Sequence, residues 1–86
     1  MEFIFTERFK KAYKKLVEDE QKVLHKKLSL MSKNPHHPSL RTKKVQGTKD
    51  IFECTVNMSI RITWQYEADS ILLRTVGNHD EILKNP

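Results

Sequence analysis

The chain has 86 residues, 37% of them apolar and 31% charged, and carries a net charge of +5. That length leaves room for one small domain, residues 1–86, and not for a second core. A single cysteine excludes an internal disulfide, and no apolar run nears the roughly 18 residues of a membrane span, so a cytoplasmic protein with no membrane partner is expected.

The N-terminal MEFIFTERF has an acid at position 2 and only a short apolar run, which does not read as a secretory signal. Phe3, Ile4 and Phe5 predict a short strand. Thr6 follows as a helix N-cap, with Glu7 placed to complement the helix dipole. From Arg8 to Val17, Phe9, Ala12, Tyr13, Leu16 and Val17 recur at helical spacing, and Lys10, Lys11, Lys14 and Lys15 take the opposite face. Glu18, Asp19 and Glu20 break this pattern and open a second helix. It runs to about Ser32, carries Val23, Leu24, Leu28 and Met31 on its apolar stripe, and is ended by Asn34-Pro35. Two such helices make an αα-hairpin that must pack on something else.

Residues His36 to Lys49 are polar and read as a loop, with a basic group at Arg41, Lys43 and Lys44 ahead of Val45-Gln46-Gly47. Three strands follow. Ile51 to Asn57 alternates Phe52, Cys54 and Val56 with Ile51, Glu53, Thr55 and Asn57. A turn at Asn57-Met58-Ser59 leads to Ile60–Glu67, where Ile60, Ile62, Trp64 and Tyr66 oppose Arg61, Thr63, Gln65 and Glu67. After Glu67-Ala68-Asp69-Ser70, the last strand sets Ile71, Leu73 and Thr75 against Leu72, Arg74 and Val76. The fold class is therefore α+β: a short N-terminal strand, an αα-hairpin and a three-stranded antiparallel meander, the helices packed on one sheet face. Phe52, Cys54, Val56, Ile60, Ile62, Trp64, Ile71 and Leu73 belong under the helices, and Glu53, Arg61 and Arg74 belong on an open face ending at His79.

Charge is divided along the chain. Residues 1–49 hold 13 Lys and Arg against 5 Asp and Glu, a balance of +8; residues 50–86 hold 3 against 6, a balance of −3. The basic half fits a polyanion or an acidic protein as partner, and equally fits a pair of solvated lysine-rich helix faces.

Lys44-Val45-Gln46-Gly47, Ser59-Ile60-Arg61-Ile62 and Gly77-Asn78-His79-Asp80, in this order behind a strand and an αα-hairpin, resemble the RelE/ParE superfamily of toxins from type II toxin–antitoxin modules. The last motif is similar to the Gly-x-His end of YafQ-type ribonuclease toxins. The resemblance implies a ribosome-dependent endoribonuclease acting on messenger RNA in the ribosomal A site, in contact with ribosomal RNA and held inactive by a cognate acidic antitoxin. No metal or cofactor is then required, because the 2′-OH nucleophile lies in the substrate. Such cleavage needs a base for that hydroxyl, a cation at the scissile phosphate and an acid for the departing 5′-oxygen.

His79 is the expected acid or base, since an imidazole serves either role near neutrality. Arg61, flanked by Ile60 and Ile62, must project from the opposite face and suits a phosphate; pairing with Glu53 is its alternative. Lys43 or Lys44 is expected as phosphate clamp or base, or as a contact to ribosomal RNA. Arg41, Arg74, Glu53 and Asp80 complete the expected substrate-binding set, with Asp80 placed to orient His79. This sequence has Lys43 or Lys44 and Val56 where YafQ-type toxins carry further histidines. Ile82 to Pro86 offers no C-terminal aromatic of the kind many RelE-like toxins use to stack a base. A nuclease with a mixed catalytic set, a gyrase-directed ParE-like toxin and a silent antitoxin-binding relative therefore stay open. Adjacent His36 and His37 lack metal-site spacing. Cys54 reads as a small buried hydrophobe. Trp64 and Tyr66, although able to stack on bases, alternate with Ile60 and Ile62 and are expected in the core.

Overall fold

The computed structural model describes Met1–Pro86. Strand β1 (Glu2–Phe5) leads into α1 (Glu7–Lys14) and α2 (Glu18–Lys33), and a 3₁₀ turn (Pro38–Leu40) precedes β2 (Lys43–Lys44). Strands β3 (Phe52–Thr55), β4 (Ile60–Glu67) and β5 (Ser70–Asn78) follow, then α3 (His79–Ile82). The sheet is mixed and five-stranded in the order β1-β5-β4-β3-β2, with β1 parallel to β5 and the other pairs antiparallel. The expected α+β arrangement is present, and the meander gains a strand on each side.

The caps account for the helix limits. Thr6 Oγ1 accepts from Phe9 N at 3.0 Å and donates to Leu73 O at 2.7 Å, so one hydroxyl starts α1 and ties it to β5. Helix α1 ends at Lys14, earlier than the apolar spacing predicts. Val17, expected on its buried stripe, is extended and 63% exposed because it serves as N-cap of α2, its N–H bonded to Glu20 Oε1 at 3.2 Å. At the far end Asn34 adopts an extended conformation before Pro35, as a residue preceding proline must.

Phe9, Leu24, Leu28 and Met31 close over Cys54, Ile62, Trp64, Ile71, Leu73 and Val76 in a cluster of 13 buried residues. Cys54 Sγ meets Met31 Sδ at 3.7 Å, and burial pushes its thiol pKa up to about 12, so Cys54 is the inert core residue its position predicts. Trp64 is fully buried, and its Nε1 is the one side-chain nitrogen or oxygen wholly enclosed, atom for atom, without a partner. An unmet donor of this kind costs about 1–3 kcal/mol. No helix is long and apolar enough to cross a membrane.

Three expectations are corrected. The loop 36–49 is not wholly irregular: Lys43 and Lys44 pair with Glu53 and Phe52, a two-residue strand too short to announce itself by alternation. The β4–β5 register also shifts, Thr63 facing Thr75 while Trp64 faces Leu73, so Arg74 is an extra residue in the ladder. That bulge reverses the alternation and turns Val76, expected on the open face, into the core cluster. Finally, Tyr66, expected in the core, is 42% exposed, its hydroxyl bonded to His36 Nε2 at 3.0 Å.

Candidate active site

The sheet face opposite the αα-hairpin is only partly open. Helix α3 folds back on it and buries Ile82; Thr63 Oγ1 and Arg74 Nε both donate to Pro86 O at 3.0 Å. Gly77 allows a close approach here, because a Cβ at that position would stand 3.1 Å from Ile82 Cγ2 and force that side chain to shift by a few tenths of an ångström. Asn78 caps α3, its Oδ1 accepting from Asp80 N at 2.9 Å, and His79 N donates to Ser59 O at 2.9 Å. The motif Gly77-Asn78-His79-Asp80 thus ends β5, turns the chain and pins His79 beside the β3–β4 turn.

Between α3 and the β2 edge lies a cleft of about 320 Å³ lined by Arg41, Lys43, Glu53, Thr55, Arg61, His79 and Leu83. Five of the eight expected site residues meet there. Arg61 reaches it from the middle of β4, across from Thr55 on one side and Gly77 on the other. Its Nη1 donates to Asn57 O at 2.6 Å, Met58 O at 3.1 Å and Ile60 O at 3.2 Å. One corner of the guanidinium is therefore fixed to the turn, and Nε and Nη2 have no protein partner. Asp80 Oδ1 lies 3.0 Å from His79 Nδ1, a contact that orients the ring and leaves His79 Nε2 as the free ring nitrogen.

Glu53 differs most from expectation. It is only 6% exposed, and its carboxylate makes neither a hydrogen bond nor an ion pair within the chain. Lys43 lies directly across the β2–β3 ladder and Arg41 and Arg61 line the same cleft, yet no cation comes within 4.0 Å of it. Arg61 therefore does not take the surface pairing with Glu53. The alternation pattern puts Glu53 on the correct face but gives no sign of how little of it is exposed.

Arg41 adopts a left-handed conformation (φ 50°) where it closes the 3₁₀ turn, which aims an exposed guanidinium at the cleft at some backbone cost. The other three expected residues stand elsewhere. Lys44 pairs with Phe52 and lines an adjoining depression with Lys43, Glu53 and Leu83; Arg74 is held by Pro86 O and by Gln65 Oε1; Asp80 meets His79 and the cap. His36 and His37 diverge, His36 Nε2 to Tyr66 Oη at 3.0 Å and His37 Nδ1 to Ser39 Oγ at 3.0 Å. No three His, Cys, Asp or Glu side chains group closely enough to hold a metal ion.

No family model and no curated protein matches the sequence. Solved structures do. Over 94% of this chain and 96% of the other, YafQ from E. coli strain BL21(DE3) superposes with a TM-score of 0.78 at 13% identity. A copper-bound mutant toxin from Helicobacter pylori covers 95% and 98%, with a TM-score of 0.78 and 23% identity. The intact E. coli RelBE toxin–antitoxin complex matches over 90% and 94%, with a TM-score of 0.72 and 24% identity. The chain has the fold of the RelE/ParE-superfamily toxins.

Proposed function

We propose that this chain is the toxin of a type II toxin–antitoxin pair and an endoribonuclease that cuts messenger RNA on the ribosome, with no metal needed for the chemistry. The observation that carries this reading is the cleft where Glu53, Arg61 and His79 converge from β3, β4 and the start of α3. Glu53 takes the proton of the 2′-OH as that oxygen attacks the adjacent phosphorus. Arg61, through Nε and Nη2, and Lys43 offset the charge growing on the phosphate oxygens. His79, oriented by Asp80 at Nδ1, gives a proton from Nε2 to the departing 5′-oxygen. The products are a 2′,3′-cyclic phosphate and a free 5′-hydroxyl, with the proton count balanced between base and acid. Glu53 supplies the base that the absent loop histidines leave unassigned, and Lys43, which lines the cleft with Arg61 and His79, takes the phosphate role ahead of Lys44, which does not line it.

The partner in this reading is a cognate acidic antitoxin, supported by the +8 balance of residues 1–49 and by the RelBE complex among the structures of the same fold. Its carboxylates meet Arg41, Lys43 and Lys44 along the exposed β2 edge, masking the cations that the phosphate needs.

Translating ribosomes incubated with the protein should yield messenger fragments cut within the A-site codon. Intact messenger together with gyrase-dependent DNA breaks would instead support a ParE-like activity.

A further inference from the structure

The messenger strand also needs a path out of the cleft, and the geometry points to a second RNA contact around Tyr66. We infer that Tyr66 and His36, flanked by Lys44 and Lys49, form a stacking platform for an unpaired base of the strand being cut, reached by that strand as it crosses the β2 edge. This rests on the nuclease reading above.

Tyr66 is exposed although it continues the alternation of Ile60, Ile62 and Trp64. Its ring is nevertheless fixed. It stands edge-to-face with Trp64 (centroids 5.0 Å, 85°) and with Phe52 (5.8 Å, 78°), and its hydroxyl bonds His36 Nε2 at 3.0 Å. His36 is itself exposed and packs edge-on against Phe52 at 5.7 Å. An aromatic ring already immobilised loses little entropy on stacking a base, and such stacking tolerates any sequence.

Beside Tyr66 runs a depression of about 240 Å³ lined by Lys44, Lys49, Asp50, Phe52, Gln65 and Tyr66, so two cations stand next to the ring. The link to the cleft is β2. Lys43 lines the catalytic cleft and its neighbour Lys44 lines the platform, so consecutive residues of one exposed edge strand present ammonium groups on both sides. A phosphate backbone that rounds this edge meets Arg41 and Lys43, then Lys44 and Lys49. The occupant is the cleaved strand rather than a separate RNA, because the basic track is continuous with the cleft.

The test measures binding of His79→Ala protein, which is expected not to cut, to unstructured RNA oligonucleotides of about three and about nine nucleotides. Tyr66→Ala in that background should weaken the longer oligonucleotide about 10-fold and leave the shorter one unchanged. Tyr66→Phe should bind both like the parent, whereas Tyr66→Leu, which keeps apolar bulk in the event that alanine unfolds the chain, should behave like alanine. Parent affinity independent of length, or a Tyr66→Leu protein with undiminished affinity for the longer RNA, overturns the platform. If cleavage by otherwise unaltered protein survives Arg61→Ala and His79→Ala, the nuclease reading fails first and the platform with it.

Discussion

Arg61 stands directly across the β4–β5 ladder from Gly77, and the side chain missing at Gly77 makes room for Ile82, 3.1 Å from where its Cβ would be. The strand that holds Arg61 and the helix that carries His79 are thus coupled through one glycine. Gly77→Ala should push Ile82 and α3 outward and displace His79 from the cleft. The expected result is a loss of cleavage of about 10²-fold, the scale of a misplaced reacting group, with a melting temperature lowered by only a few degrees. Equal retention of activity and stability would show that α3 is not the element that positions His79.

Glu53→Gln separates a base from a structural carboxylate. The amide keeps the shape but cannot take a proton, so the rate should fall about 10²- to 10⁴-fold. Removal of a negative charge from the cleft proposed to hold the phosphate should at the same time leave RNA affinity unchanged or improve it. A parallel loss of rate and affinity would assign Glu53 to packing instead.

Arg41→Gly tests whether its left-handed backbone is held for function. Glycine adopts φ 50° freely, so relief of roughly 1–2 kcal/mol offsets the added flexibility of the unfolded chain, and stability should stay level or rise slightly. Binding to the antitoxin and to RNA should weaken and become less salt-dependent. The readouts are a urea titration and affinities at two ionic strengths.

Cys54 gives a pH prediction. Its folded pKa, about 12, lies above the ordinary thiol value of 9.0, with desolvation by burial as the leading cause. The folded chain therefore holds its proton where the unfolded chain has lost it. This contribution is complete below pH 9 and is lost as pH rises toward 12, at about 1.4 kcal/mol per unit. Urea midpoints between pH 8 and 10.5 should fall less steeply for Cys54→Ala, although that protein begins less stable because of its cavity. Identical slopes would contradict the assignment.

Much of the fold is legible in the residues alone. Helical spacing locates Phe9, Leu24, Leu28 and Met31, alternation locates Cys54, Ile62 and Trp64, and the Gly77-to-Asp80 motif locates His79. What stays hidden has physical causes. A bulge at Arg74 shifts the phase of β5 and leaves no mark in composition, so simple alternation puts Val76 on the wrong face. The pairing of Lys43 with Glu53 is a long-range choice made by a two-residue strand, below the length at which periodicity carries information. Helix α3 has four residues, too few for helical spacing to announce it, and the low exposure of Glu53 leaves no mark in the residues around it.

That the cleft around Arg61 and His79 cuts RNA is tested most directly by primer extension on messenger from translating ribosomes treated with the protein, His79→Ala or Arg61→Ala. The expected result is cuts within the A-site codon ending in a 2′,3′-cyclic phosphate, reduced at least about 10²-fold by either substitution while the circular dichroism spectrum is unchanged. Undiminished cutting by both variants would contradict it.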